Sequence, residues 1–178
     1  MIVVLAIILF LSVVPAHAAS VVDPTFGKID LAFERNDGQV NSKVKFLSRS
    51  QGYTLFLTND EAVMGFAKPK PSEIRMKLAG RNRNARIEGV ERLSSTTNYL
   101  LGDGSSQHTN IPSYRKVRYS DVYPGIDVEY HGNGRLLEYD FIVQPGSSPE
   151  RIRLNFAGIH GTSVDSSGDL ILKTDGDP

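Results

Sequence analysis

Apolar and polar residues alternate with period two along most of this chain, the pattern of strands that bury one face. The clearest case runs from Gly125 to Val143, where two alternating segments flank Gly132-Asn133-Gly134. Asn-Gly between alternating runs is a strong hairpin signal. A turn at Asn133-Gly134 predicts Tyr130 opposite Leu137, Val128 opposite Tyr139 and Ile126 opposite Phe141, one continuous apolar face. The other face then opposes Glu129 to Glu138 and Asp127 to Asp140. A longer loop shifts the partners but keeps both sets on their faces, because face follows parity.

The same period predicts the remaining strands. Leu31–Glu34 leads into a turn at Arg35-Asn36-Asp37-Gly38. Strands through Val44, Phe46 and Ser48, over Tyr53–Leu57 and over Ala62–Phe66 read as a meander. Lys68-Pro-Lys-Pro-Ser72 breaks the chain before a strand through Ile74, Met76 and Leu78. Ile87–Glu91 and Thr97–Leu101 read as two weaker strands, and Gly102–Ser106 as a loop extending toward Pro112. Tyr114–Tyr119 resumes the pattern, and Tyr123-Pro124-Gly125 fits a type II turn. Ile152, Leu154 and Phe156 alternate again, and Asp165–Asp169 turns into Leu170–Leu172. No helical stripe of useful length is present. Recurrent short strands predict an all-β, mainly antiparallel β-sandwich built from consecutive hairpins, divisible into two packed lobes at 29–104 and 109–174.

Composition narrows the class. Lys+Arg and Asp+Glu are both 20 in 178 residues, so the net charge is zero, which argues against a nucleic-acid partner. Ile2–Val14 is nearly all apolar and Ala16-His17-Ala18 supplies a small-x-small cleavage pattern. Residues 1–18 therefore read as a signal peptide, too short for the roughly 20 apolar residues of a membrane span. No Lys or Arg precedes the apolar run, so the start lies upstream or the basic n-region is missing. The mature chain, residues 19–178, is expected to be exported, to lie in the periplasm, on the cell surface or outside the cell, and to have no membrane span. It ends at Pro178 without a closing element, so further chain is expected beyond it. There are no cysteines, which removes disulfides and thiolate metal sites.

Candidate chemistry is sparse. Nucleophile elbows, phosphate-binding loops and zinc-protease motifs are absent from the sequence. His108, His131 and His160 show no metal-type spacing. The acidic hairpin face is the best candidate site. Arg115, Lys116, Arg118, Arg151 and Arg153 lie in flanking strands, so an ion-pair ladder is the first reading of that face. Calcium binding is the second, and paired-carboxylate catalysis of glycoside cleavage the third. The basic run Arg81–Arg86 reads as a solvated turn, and Asp165–Asp169 as a Gly-containing turn with too few ligands for calcium.

Thr109–Asp127, together with Gly132-Asn133, Leu137–Phe141, Pro145-Gly146 and Ile152–Leu154, resembles the N-terminal domain of bacterial SBBP (β-propeller) repeat proteins. Leu31–Gln39, Lys45–Arg49 and Gly52–Leu57 match the opening motif of that domain. The resemblance implies an exported or surface protein whose N-terminal β domain, of unknown function, precedes repeats. It supplies no catalytic residue. Two positions depart from it: the chain has no Trp ahead of the Thr-Asn-x-Pro segment, and Glu129 stands where a neutral residue is usual. The acidic positions that match are Asp127, Glu138 and Asp140.

The expected role is a non-enzymatic structural or interaction module without a cofactor. Its expected partners are downstream domains of the same chain and a surface glycan or protein. A carbohydrate-binding or carbohydrate-active domain using the acidic face is the alternative. The leading reading expects Asp127, Glu138 and Asp140 to lie within reach of Arg or Lys.

Overall fold

A computed structural model describes residues 31–50, 52–67, 71–100, 107–134 and 136–174. The expected signal peptide and lead-in to Asp30, the predicted Pro-broken connection at 68–70, the predicted loop at 101–106 and the last four residues lie outside this set. Within it, the chain is all-β and antiparallel: β1 (Phe33–Arg35), β2 (Val44–Arg49), β3 (Tyr53–Thr58), β4 (Glu61–Phe66), β5 (Ser72–Leu78), β6 (Arg86–Leu100), β7 (Gln107–Tyr123), β8 (Ile126–Asn133), β9 (Leu136–Val143), β10 (Leu154–Ala157), β11 (Gly161–Val164) and β12 (Leu170–Lys173). A 3₁₀ turn, Pro149–Arg151, precedes β10. Among the described residues no helix is long and apolar enough to cross a membrane.

The expected sandwich is replaced by one curled sheet resembling a half-barrel, with β11–β12 as a separate two-strand sheet. Nine strands follow one another in the order β10-β5-β4-β3-β2-β1-β7-β8-β9, and β6 joins as a tenth against β7. The reason lies in β7. A strand has two hydrogen-bonding edges; β6 runs along one of them, from Leu100 opposite Gln107 to Arg86 opposite Ser120. The other edge is shared end to end: β1 takes Ser113 and Tyr114, and β8 takes Lys116 to Tyr123. Hydrogen bonding is therefore continuous from β10 to β9, and two stacked sheets never separate. Period-two alternation cannot distinguish these cases, because each buries one face of every strand.

The sheet closes over that face. Phe33, Leu55, Leu57 and Met76 from the first half meet Val117, Ile126, Val128 and Tyr130 from the second in a single core. Polar contacts pin the curl. The Tyr119 hydroxyl donates to the Thr58 carbonyl (2.8 Å) and the Tyr123 hydroxyl to that of Ala79 (2.9 Å). The Asn82 N–H donates to the Val122 carbonyl (2.8 Å).

β7 starts at Gln107, so the predicted loop toward Pro112 is strand from there on. Pro112 is tolerated where the β6–β7 register slips, between Arg92 and Thr96. The same slip lets the two short strands predicted around residues 87 and 97 run as one. At the other end of β7, Pro124-Gly125 turns the chain with Gly125 at φ +67°, and Tyr123 pairs with Ile126.

Candidate functional site: the outer face and edge of the β8–β9 hairpin

The hairpin forms with its predicted faces and a register displaced by two residues. Tyr130 opposes Tyr139, Val128 opposes Phe141 and Ile126 opposes Val143. Asn133 stays in the strand opposite Leu136, and Gly134, at φ +60°, opens the turn. Tertiary contact accounts for the displacement. The Leu31 N–H donates to the Gly134 carbonyl (2.9 Å), and Leu31 lies so close to Gly132 that a Cβ there would sit 2.5 Å from the Leu31 Cβ. The chain entering β1 thus docks on the hairpin tip and fixes where it turns, which no local turn rule encodes.

The displaced register changes which charges meet. Glu129 now opposes Asp140, His131 opposes Glu138, and Asp127 opposes Ile142. Glu129 is 6% exposed. Its Oε2 accepts from the Arg118 guanidinium at 2.5 and 3.0 Å, and its Oε1 lies 3.1 Å from the Lys116 Nζ, which also reaches Glu91 at 3.1 Å. Burial pushes the Glu129 carboxyl up, but the hydrogen bonds and charges of Arg118 and Lys116 outweigh it and leave it below its ordinary value. Donating to Glu129 in turn raises Arg118. A compact Glu91–Lys116–Glu129–Arg118 ladder results, running from β6 across β7 to β8.

The three carboxylates singled out from sequence share this face but have other partners. Asp127 accepts the Asp121 N–H at 2.8 Å, which holds the backbone where Asp121 takes φ +55°. Glu138 accepts from the Asn133 amide at 2.9 Å. Asp140, whose side chain is 69% exposed, lies 2.9 Å from His131 Nε2. The cation ladder is therefore built on Glu129, the residue that departs from the family resemblance. A usable signal was present: Lys116 and Arg118 have the same parity, so they share a face of β7 beside whatever β8 presents there. Among the described residues no cluster of three or more His, Asp or Glu side chains could hold a metal ion.

β9 differs from every other rim of the sheet. It ends the strand path, so its outer edge pairs with no described strand. It is eight residues long and its register with β8 has no bulge. Leu136, Tyr139, Ile142 and Val143 are all substantially exposed along it. The opposite terminal strand, β10, has only four residues, and β6 is interrupted by register slips.

Two other features were missed or half-seen from sequence. The Arg35–Gly38 turn is a tightly bonded loop in which Asn36 Nδ2 donates to the Asn41 and Val44 carbonyls and Arg35 chelates Asp37. Beside it lies an open groove of about 630 Å³ with Val44, Phe46 and Ile87 in its wall and Lys45 and Asn59 among its polar lining. The basic run at 81–86 is not uniformly solvated, since Arg81 is largely buried and pairs with Asp60. The Asp165 carboxylate is occupied by the N–H groups of Ser167 and Asp169, as a turn requires.

No curated protein and no solved structure matches the chain. A family-wide comparison matches residues 33–177, which span β1 to the end of β12. The chain belongs to the DUF7948 family, a domain of unknown function.

Proposed function

We propose that this domain is a non-enzymatic structural and interaction module of an exported, multidomain protein. The outer edge of β9, which pairs with no described strand, has no bulge and is flanked by exposed Leu136, Ile142 and Val143, is the observation that carries the reading. Exposed strand edges of this length are ordinarily blunted by charged side chains, above all Lys, by Pro, by a bulge or by shortness, because they invite pairing. β9 has no Lys, Pro or bulge and is eight residues long, so what guards it is the charge of Glu138 and Asp140. The fate of the carboxylates supports the same reading. Glu129 is neutralised by two cations, and Asp127 accepts a backbone amide, so both act in holding strands together. Export and a place ahead of repeats are supported by the apolar leader and by the resemblance to SBBP repeat proteins. A sugar-binding face has less behind it: Tyr130 is buried, and Tyr139 lies across the strand from Glu138 and Asp140.

The test is a photo-crosslinking residue at Ile142 of the full-length protein in its native host. The expected product is an adduct with another segment of the chain or with another exported protein, identified by mass spectrometry. Turnover of any member of a glycan or ester panel by the purified protein, or adducts that avoid position 142 while forming at control surface positions, would overturn the reading.

A further inference from the structure

We infer that the edge of β9 receives an extended strand that alternates basic and apolar residues. The inference rests on the interaction-module reading and adds the chemistry of the partner. The Gln144 N–H donates to the Gly125 carbonyl, so the backbone at Gln144 faces β8. In an antiparallel ladder this direction alternates residue by residue. Leu137, Tyr139, Phe141 and Val143 therefore turn their N–H and C=O groups outward, a row of four donors and four acceptors.

Side chains divide with the same parity. On the core side, Tyr139 and Val143 are 36% and 37% exposed, at the border of a core that already includes Phe141 and Leu137. An incoming strand with apolar residues on that side extends the core by one row. On the outer side, Glu138 and Asp140 stand between Leu136 and Ile142, with Asp127 on the same face. Incoming Lys or Arg residues there meet two exposed carboxylates, the cross-strand pairing that stabilises sheets.

The charges also disfavour a second copy of the chain in the two antiparallel registers that overlap most of β9. Antiparallel self-pairing centred on Tyr139 places Glu138 opposite Asp140 of the copy, and centring on Asp140 places that residue opposite itself. Like charges directly opposite are destabilising. Strand addition in which backbone bonds supply affinity and alternate side chains supply specificity is the recognition mode this edge fits.

The probe is a nine-residue peptide alternating lysine and valine, titrated into the whole purified chain. Saturable binding is expected, with amide-exchange protection appearing at Leu137, Tyr139, Phe141 and Val143 and not at new sites elsewhere. The same peptide N-methylated at alternate residues, in both phases, loses binding in at least one phase. The Glu138→Lys/Asp140→Lys variant is expected to weaken the lysine peptide by about tenfold or more and to bind a glutamate–valine peptide instead. That reversal distinguishes recognition from a variant that merely fails to fold. Absence of protection along β9, equal binding by the charge-reversed variant, or a stable dimer without peptide would each overturn the inference. If crosslinking at Ile142 persists while the peptide fails, the partner chemistry is wrong and the module reading stands; if both fail, both fall.

Discussion

β8 and β9 are eight-residue strands joined by one turn, and β9 carries six apolar residues to the three of β8, yet it is β8 that is buried. Ile126 and Val128 are fully buried, whereas Ile142 and Val143 on the neighbouring strand are 40% and 37% exposed. The polar faces diverge in the same way. Glu129 is enclosed by two cations, while Asp140 directly across from it is mostly in solvent. The difference is neighbour count. β8 is flanked by β7 and β9; among the described strands, β9 has one flank. Sequence sets which residues share a face, but a strand's place in the sheet sets how much each is worth.

The largest effect should separate the two strands by one substitution made twice. Ile126→Ala empties a fully buried site and is expected to cost about 2–5 kcal/mol in urea denaturation. Ile142→Ala, on the open edge, is expected to cost less than about 1 kcal/mol. Equal costs would mean that β9 is covered in the native protein, and the contrast would disappear.

Glu129→Gln comes next. Breaking an ion pair buried on both sides costs roughly 3–5 kcal/mol. Here the Lys116 and Arg118 side chains remain 33% and 36% exposed, so about 2 kcal/mol is the expectation. The loss should depend on pH. The folded Glu129 carboxyl titrates below its ordinary 4.5, so the ionised form favours the fold. Its contribution is present above about pH 4.5 and is lost as pH falls through the lower folded value. The stability gap between wild type and Glu129→Gln should therefore be constant near neutrality and shrink in acid. A gap that widens in acid would show that Glu129 is held protonated, contrary to the ladder.

How far the sequence could reach follows from these residues. Most of the strands, their faces and the Pro124-Gly125 turn are local facts, governed by parity and backbone preference, and they were legible; β11 and the start of β7, read as loop, were not. The hairpin register was not, because Leu31, a hundred residues away, decides it by docking on Gly132 and Gly134. The curled sheet was hidden for a related reason: β1 and β8 share one edge of β7, and edge-sharing leaves no periodic trace. The ion ladder was half legible. Lys116 and Arg118 were recognised as flanking cations, but their carboxylate was sought among Asp127, Glu138 and Asp140 because Glu129 departs from the resemblance. Burial, not family pattern, selects the carboxylate that needs cations.

The smallest effect is the sharpest probe of the edge. Asp140→Asn removes an exposed pair with His131, worth at most a few tenths of a kcal/mol in water, and also removes the like charge opposite Glu129. These terms oppose each other, so the net change in urea denaturation is expected within about 0.5 kcal/mol of zero. In the Glu129→Gln background the repulsion is gone and Lys116 and Arg118 lack their carboxylate. Asp140 is the acid across from that gap, so Asp140→Asn should then be destabilising by about 0.5 kcal/mol more than in wild type. A double-mutant cycle measures that coupling. Zero coupling would show that the inner ladder and the edge carboxylate are electrostatically separate. A cost above about 1 kcal/mol for Asp140→Asn alone would make β9 a structural strand like β8, with no free edge to offer.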